Sequence, residues 1–269
     1  MDLFQRTARR SLMVLMVWLI PALAARAQVW SEDAAAVPSM YGLEMNLDIN
    51  RTDYALDDVY DHLNARVELS SLPETSLEID EANWVKQYDG GLTFRAWRLL
   101  ATVQYSYLST ETAKYRTRLD FQLGEQYEQF DLHTRELLFG LGYLQPVMHW
   151  LDVAVLGMGG PAWALADAQK KDLMSPTILQ HDLEGNYTAW RVEGRLRFNL
   201  RDNLAVHLKG GYRWSDAGVL TGSFYERGEP PYSSDTPYTN YANNDALKFD
   251  YSGVFVGVGV TLMSPMFED

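Results

Sequence analysis

The chain has 269 residues, with 23 Lys or Arg against 36 Asp or Glu and a formal net charge of −13 at pH 7. A protein this acidic repels phosphate backbones, which argues against nucleic acid as a partner. Cysteine is absent, so the sequence offers neither a disulfide framework nor a thiolate metal site.

The N-terminus has the three regions of a secretory signal peptide. Three arginines lie among the first ten residues, an apolar run follows over 12–20, and a small-x-small stretch stands at 25–27. The apolar run is shorter than the roughly 20 residues that a membrane-spanning helix needs. We therefore expect a signal peptide over 1–27 and, after its cleavage, a periplasmic N-terminal segment over 28–39.

Beyond residue 40, apolar and polar residues alternate in repeated stretches. A period of two places the two sets on opposite faces of a strand. The stretches are 41–49, 92–98, 100–109, 131–144, 149–159, 188–200, 204–214 and 249–262. They predict strands with one apolar and one polar face, and strands of about ten residues are long enough to cross a bilayer with tilt.

Short and long connections alternate between these stretches. The short ones are near 98–100, 145–149 and 201–203, and the long, acidic, Tyr-rich and Asn-rich ones are 51–87, 110–130, 160–186 and 215–247. This asymmetry is typical of an outer-membrane barrel, whereas a secreted β-sandwich has no reason to segregate its loops. We predict an all-β fold: a transmembrane, antiparallel, up-and-down barrel of eight strands over 40–262, with a periplasmic tail over 263–269.

One region leaves ten strands as an alternative. Residues 65–69 and 76–80 flank the turn-forming sequence 72–75 and could form another hairpin. Inserted in the barrel wall, this hairpin would raise the number of strands to ten, which is still even. Its apolar faces are short and lack aromatic residues, so an external hairpin within the first long loop is preferred.

The layout resembles that of the small outer-membrane barrels of the OmpA/OmpX type. The signal peptide, the alternating strands, three short turns and four long loops match over nearly all of 40–262. The resemblance implies insertion by the barrel-assembly machinery and a surrounding of outer-membrane lipid and lipopolysaccharide. Members of that family usually end on an aromatic residue that the insertion machinery reads, but here Phe267 is followed by two acidic residues.

Two sets of side chains are predicted to mark the two faces of the wall. Aromatic residues near strand ends are expected to form girdles at the membrane interfaces. They are Tyr41, Trp150, Trp190, Tyr212, Trp214 and Tyr251. Charged residues on the polar face are expected to line the lumen. They are Glu44, Asp48, Arg95, Glu136, Asp152, Arg191, Glu193, Arg195, Arg197, His207, Lys209 and Arg213.

The width of the barrel decides what these charges do. The interior of an eight-stranded barrel is only just wide enough for side chains to fill, so a salt-bridged and largely closed lumen is expected. The alternative is a narrow passive channel that prefers anions because of the ladder Arg191, Arg195 and Arg197.

Enzymatic chemistry has one candidate motif. Asp131-Leu132-His133 has the Asp-x-His spacing of omptin-like outer-membrane proteases, and Asp57-Asp58 could supply further carboxylates. In such a dyad the His polarises a water molecule while the Asp orients it. The spacing arises readily by chance in an acidic chain, so the protein is predicted not to be an enzyme.

The long loops offer a different role. The loops over 51–87 and 215–247 could bind an extracellular ligand, since Tyr and Asn give adaptable contact surfaces. The sequence has no phosphate-binding glycine loop, EF-hand or zinc-spaced cluster, so neither a cofactor nor a metal is expected. The predicted role is structural, or one of surface interaction.

Overall fold

The computed structural model describes residues 41–53, 56–69, 75–78, 84–109, 113–118, 125–171, 177–226, 233–240 and 242–265. The predicted signal peptide and the segment over 28–39 lie outside these residues, as does 266–269 of the predicted tail. The described part forms fourteen strands and one helix. They are β1 (Tyr41–Asp53), α1 (Asp57–Leu69), β2 (Thr75–Glu78), β3 (Trp84–Ala96), β4 (Leu99–Ser109), β5 (Ala113–Arg118), β6 (Glu125–Met148), β7 (Leu151–Lys171), β8 (Ile178–Arg201), β9 (Leu204–Trp214), β10 (Asp216–Val219), β11 (Thr221–Glu226), β12 (Ser233–Pro237), β13 (Lys248–Asp250) and β14 (Gly253–Pro265).

Eight strands close into an antiparallel ring. Their order is β1, β3, β4, β6, β7, β8, β9 and β14, and β14 pairs back to β1. Each strand therefore lies beside its neighbours in sequence within the ring, which is an up-and-down arrangement. The prediction of an all-β, eight-stranded antiparallel barrel is confirmed.

The two faces of the ring differ in polarity. Along β1, exposed and buried positions alternate without interruption from Tyr41 to Thr52. The exposed positions of the ring carry Leu, Ile, Val and Phe, with Leu141 at 74% exposure, while the buried positions carry charged and amide side chains. An apolar outer face and a polar interior invert the pattern of a water-soluble protein and suit a barrel that spans a bilayer.

Short turns join the strands at one end of the ring. The chain reverses at Trp97-Arg98, His149-Trp150 and Asp202-Asn203. The second reversal lies at the far limit of the predicted joint over 145–149, because β6 continues past Pro146 to Met148. A register shift beside Pro146 makes this possible, since a proline is tolerated at a bulge.

At the other end, here called the extended end, the sheet continues beyond the ring. β6, β7 and β8 have 24, 21 and 24 residues, and β5, β11 and β12 pair with this extension or with each other. The predicted loops over 110–130, 160–186 and 215–247 therefore contain strands among their described residues, namely β5, β10, β11 and β12 and the extended ends of β6, β7 and β8. The alternation persists there with its polarity reversed: Leu132, Ala166 and Leu183 point inward, and Asp131, Asp167 and Asp182 share the opposite face.

The predicted external hairpin over 65–80 is wrong. Residues 57–69 form α1 instead, and β2 pairs with β5 rather than with 65–69. The apolar residues Val59, Leu63 and Val67 recur every four positions, which is a helical period, and they pack together against the sheet. No helix in the described part of the chain is long and apolar enough to cross a membrane.

A hydrophobic cluster, here called the cap cluster, fills the barrel at the extended end. It joins α1 to the inner face of the extended sheet and to the segment before β14. Its buried members are Leu56, Val59, Leu63, Leu108, Phe130, Leu132, Ala164, Ala166, Ala168, Leu183, Leu220, Leu247, Phe249 and Tyr251. The polar lumen is therefore covered at this end by α1 and an apolar layer.

Candidate functional site

The lumen of the ring holds a balanced set of buried charges. All twelve side chains predicted to line it are buried, and Asp89 joins them. The carboxylates are Glu44, Asp48, Asp89, Glu136, Asp152 and Glu193, and the cations are Arg95, Arg191, Arg195, Arg197, Lys209 and Arg213. Six negative charges therefore face six positive charges, with His207 as an additional titratable group. The chain as a whole is strongly acidic, but among the described residues the lumen carries no excess of carboxylates.

Near the short-turn end, Arg197 links two carboxylates. Its Nη1 lies 2.8 Å from Glu44 Oε1 and its Nη2 lies 3.0 Å from Asp152 Oδ2. Arg95 Nη1 approaches the same Glu44 oxygen at 3.6 Å, and Asn199 donates to Asp152. Four charges from β1, β3, β7 and β8 thereby meet across the barrel.

In the middle of the lumen, Lys209 on β9 bridges carboxylates of two other strands, β1 and β3. Its Nζ lies 2.6 Å from Asp48 Oδ2 and 2.7 Å from Asp89 Oδ2. Asp48 also contacts His207 Nε2 at 2.6 Å, and Arg195 contacts Glu193 at 2.5 Å. Burying an ammonium group is tolerable only when carboxylates surround it in this way.

Toward the extended end, Arg191 occupies the lumen. Its Nη1 lies 2.9 Å from Asp89 Oδ2, and its Nη2 lies 3.3 Å from Glu136 Oε2. Arg213 Nε lies 2.9 Å from the other Glu136 oxygen, to which the Ser215 hydroxyl also donates. The guanidinium carbon of Arg191 is 5.1 Å from the centre of the Phe255 ring, a cation–π contact.

These contacts bear on the predicted anion ladder. Arg191, Arg195 and Arg197 all lie inside the ring, but each is held by at least one carboxylate at 3.3 Å or less. A solute anion would have to displace a carboxylate that is already in place. The ladder therefore belongs to a cross-linked filling of the lumen rather than to a row of open anion sites.

A second buried polar group fixes α1 inside the extended end. Glu128 Oε1 lies 2.8 Å from His62 Nε2, its Oε2 lies 2.9 Å from Arg66 Nε, and the Tyr238 hydroxyl also donates to it. Burial alone would raise the pKa of Glu128, but the His62 hydrogen bond and charge, the Tyr238 hydroxyl and the Arg66 charge hold that pKa below its ordinary value. This cluster ties the helix to β6 and to the segment after β12.

The candidate dyad lies on the opposite side of the wall from the cap cluster. Asp131 and His133 point outward from β6, and Tyr107 lies beside His133, with its hydroxyl 3.5 Å from Nδ1. Asp57-Asp58 belong to α1, on the inner side of the same sheet. The sheet thus separates the dyad from the carboxylates that were expected to assist it.

The dyad has acidic neighbours on its own face. Asp131 pairs in register with Asp167, which pairs with Asp182 on the next strand. Burial raises the pKa of Asp167, and the charges of Asp182 and Asp131 raise it further, while His133 acts in the opposite sense. Within the described residues, no group of three or more His, Asp or Glu has the geometry of a metal site.

The aromatic residues predicted as girdles fall into two groups. Tyr41, Trp150, Trp190 and Trp214 are exposed on the outer surface, and Tyr212 is partly exposed, with its ring centre 4.8 Å from that of Trp214. The prediction for Tyr251 is wrong, because its side chain is fully buried in the cap cluster. The chain before β14 folds inward over the mouth of the barrel, and the Tyr251 amide donates to the Ser215 carbonyl.

Several central residues were missed in the sequence. Asp89 lies between the predicted first long loop over 51–87 and the predicted strand over 92–98, and Glu128 lies in the predicted second long loop over 110–130. The signal for Asp89 was present: Tyr88, Leu92 and Phe94 keep the outward period, so Asp89 falls on the inward face. His62 has no comparable signal, because its role depends on where the helix packs.

The structure defines a closed antiparallel barrel with an apolar exterior and a charge-balanced interior. No family model and no curated protein matches the chain. Among solved structures, the chain is similar to that of Ail, the attachment invasion locus protein of Yersinia pestis, in complex with the heparin analogue sucrose octasulfate. The sequence identity is 8%, the match covers 83% of this chain and 99% of the Ail chain, and the TM-score is 0.41.

Two further solved structures are similar at the same level. Neisserial surface protein A is 9% identical, the match covers 83% of this chain and 97% of the neisserial chain, and the TM-score is 0.39. The outer membrane protease OmpT from Escherichia coli is 9% identical, the match covers 87% of this chain and 99% of the OmpT chain, and the TM-score is 0.40. These likenesses concern architecture, and nothing about activity follows from them.

Proposed function

We propose that this chain is an outer-membrane protein with a closed lumen, a non-enzymatic barrel that anchors an extended β-sheet and its helical cap at the cell surface. The observation that carries the proposal is the balanced network of six carboxylates and six cations buried inside the ring. Among the described residues, the ion pairs that cross the lumen and the apolar cap above them both oppose the passage of a solute. The surface beyond the membrane is then the part available for function.

The apolar exterior supports placement in a membrane. The pairing of β14 with β1 closes the ring, so none of its eight strands is left as an open edge, as a strand structure in lipid requires. The signal-like N-terminus and the short turns at one end favour the outer membrane, with the short turns in the periplasm and the extended end outside. Insertion would then depend on the barrel-assembly machinery, with lipopolysaccharide as a neighbour in the outer leaflet.

The extended end supports a role in surface interaction. The two loops expected to bind a ligand, 51–87 and 215–247, both contribute to the cap, where Leu63 and Leu247 pack inward. Their exposed residues, such as Asp61 and Asn243, face away from the barrel. A folded cap presents its contacts in a fixed arrangement, which lowers the entropic cost of binding a partner.

Conductance tests the closed lumen. In planar bilayers the refolded wild-type protein is expected to give no steady current steps, and a Glu128→Ala variant, which loosens only the cap, is expected to give none either, because the lumen network remains. Steady, anion-selective steps from the wild type would contradict the proposal. Steps from Glu128→Ala alone would show that the cap, and not the lumen, closes the barrel.

A hydrolase assay tests the non-enzymatic part. Purified protein in detergent micelles is expected to cleave neither unstructured peptides nor lipid A. Cleavage that is lost in both Asp131→Ala and His133→Ala, but kept in an exposed control such as Asp202→Ala, would contradict the proposal and would favour an omptin-like protease.

A further inference from the structure

His181 lies on the inner face of the extended sheet, in a row of apolar side chains. Phe130 on β6 pairs with Ala168 on β7, and Ala168 pairs with His181 on β8. His181 in turn pairs with Phe224 on β11. Residues paired in register share a face, so the four side chains lie side by side. Only 6% of His181 is exposed, so a titratable ring is buried at the margin of the cap cluster.

Two aromatic rings enclose this imidazole. The ring centre of Phe224 is 5.5 Å from that of His181 in an edge arrangement, and the ring centre of Tyr238 is 5.4 Å from it. Within the described residues, Nε2 of His181 has no hydrogen-bond partner. A buried nitrogen among rings suits a neutral imidazole, because a charged one would lack both water and a counter-ion.

Tyr238 connects His181 to the helix of the cap. Its ring centre is 5.6 Å from that of His62 on α1 and 5.2 Å from that of Phe130, and its hydroxyl donates to Glu128. His62 Nε2 lies 2.8 Å from the same Glu128 oxygen. A positive charge on His62 therefore meets a carboxylate, whereas the row that contains His181 offers none.

The charged groups around His181 do not replace such a carboxylate. Asp182 follows it in sequence and therefore points to the opposite face of the sheet. Glu226 and Lys170 lie on the inner face one row further out, where both pair with Leu179. Their charges are opposite and flank this row from two sides, so neither sign dominates at the imidazole.

The pKa of His181 is lowered in the folded protein. Burial is the main cause, and the backbone of Thr236 and Gly222 and the charge of Asp182 offset it only in part. The neutral ring therefore stabilises the fold above the ordinary histidine pKa of 6.5. This stabilisation is lost as the pH falls below that value, because the unfolded segment takes up the proton more readily.

The strands beside His181 form the margin of the sheet. Among the described strands, β12 pairs only with β11, and that pairing is shifted between Gly222 and Phe224. Segments with few partners open at a low free-energy cost, whereas each strand of the ring has a partner on both sides. An unfavourable charge on His181 therefore acts where the sheet opens most easily.

We propose that His181 is a pH-sensitive switch for the cap. When Nε2 takes up a proton from water, the imidazolium moves out of its aromatic surroundings into solvent, and the β11–β12 hairpin separates from β8 together with Tyr238. Phe130 and the apolar row beside it then become exposed at the extended end. This inference goes beyond the function proposed above, because it gives the extended end a second conformation and does not depend on the membrane placement.

Amide hydrogen exchange tests the switch in refolded full-length protein. Exchange over 221–226 is followed by mass spectrometry at pH 7 and pH 5, and each rate is divided by the intrinsic exchange rate at that pH. The wild type is expected to open about tenfold more often at pH 5, whereas His181→Phe, which keeps a neutral ring, should change less than about twofold. The matched control is His149→Phe in an exposed turn at the other end of the barrel, which should respond as the wild type does.

A second variant makes the result independent of the new aromatic ring. His181→Gln is polar but uncharged at both pH values and should lose the acid response as His181→Phe does. Unchanged wild-type exchange between pH 7 and pH 5, or an acid response that survives in both His181 variants, would overturn the proposal. A response that disappears in His62→Gln but survives in both His181 variants would assign the switch to His62 instead. Conductance at pH 7 reports separately on the closed lumen, which the switch does not require.

Discussion

Asp89 is the residue whose removal should most disturb the lumen. Its carboxylate accepts from Lys209 Nζ at 2.7 Å, from Arg191 Nη1 at 2.9 Å, from Asn50 at 2.8 Å and from Gln87 at 2.6 Å. Asp89→Asn keeps the shape of the side chain but removes its charge. Two fully buried cations then lose a shared counter-ion.

The size of the effect follows from the remaining partners. Removing one member of a buried ion pair typically costs about 3–5 kcal/mol, because an uncompensated charge stays behind. Lys209 keeps Asp48 at 2.6 Å and Arg191 keeps Glu136 at 3.3 Å, so the lower end of that range applies. We expect Asp89→Asn to lower the free energy of unfolding by about 3 kcal/mol, roughly a 150-fold change in the ratio of folded to unfolded protein.

The assay is urea unfolding of the barrel refolded into neutral lipid vesicles, followed by tryptophan fluorescence and by heat-modifiable migration. Asp202→Asn, in an exposed turn, is the matched control and should stay within about 0.5 kcal/mol of wild type. A cycle with Lys209→Met should show a coupling energy of at least about 1 kcal/mol, because the two residues are in contact. If Asp89→Asn is as stable as the control, the lumen is hydrated and the account of a desolvated network is refuted.

Three further outcomes are expected at the extended end. Because the pKa of Glu128 is lowered in the folded protein, the charged side chain stabilises the fold above the ordinary carboxyl pKa of 4.5, and this stabilisation is lost as the pH falls below that value. The wild type should therefore lose more stability between pH 5 and pH 3 than Glu128→Gln does. The free energy of unfolding is measured by urea titration at each pH. Leu63→Ala removes a fully buried side chain from the cap cluster and should speed amide exchange in α1 about 100-fold, for a local cost near 2.7 kcal/mol, without changing exchange in the ring. Asp167→Asn removes a charge that lies between two in-register aspartates, Asp131 and Asp182. It should therefore stabilise the β7–β8 extension at pH 7 by about 0.5 kcal/mol, measured as slower proteolysis of this extension. The stabilisation should shrink at lower pH, because acid protonates Asp167 in the wild type. Equal acid sensitivity, unchanged exchange in α1, or faster proteolysis of Asp167→Asn would contradict these three accounts in turn.

The ring could be predicted from the sequence because lipid imposes a simple rule on it. Each strand must show an apolar side chain to the bilayer at every second position, so stretches such as 204–214 display their period openly. The same period fixes which charges point inward. The twelve residues proposed for the lumen were therefore accessible to sequence reasoning, while their partners across the barrel were not, since cross-barrel contacts depend on strand register and tilt.

The extended end could not be predicted in the same way, because it lies where water replaces lipid. There the apolar face of β6 turns inward, as at Leu132, and the outward face becomes polar, as at Asp131. An acidic, aromatic-rich stretch with this pattern looks like a loop when it is compared with the membrane strands. The hairpin interpretation of 65–80 misses helix α1 because residues 65–69 hold only the end of a helical period that begins at Val59.

The closed lumen is tested most directly by a single introduced thiol, since the chain has no cysteine of its own. Thr102 lies on the inner face of β4, buried, with its hydroxyl 2.9 Å from that of Thr93, whereas Asn243 is exposed at the extended end. The rate of modification by a charged, membrane-impermeant thiol reagent is measured for Thr102→Cys and Asn243→Cys in folded protein and after boiling. A closed lumen predicts rapid reaction of Asn243→Cys and reaction of Thr102→Cys only after boiling. Comparable rates for the two variants in the folded barrel would contradict the closed lumen.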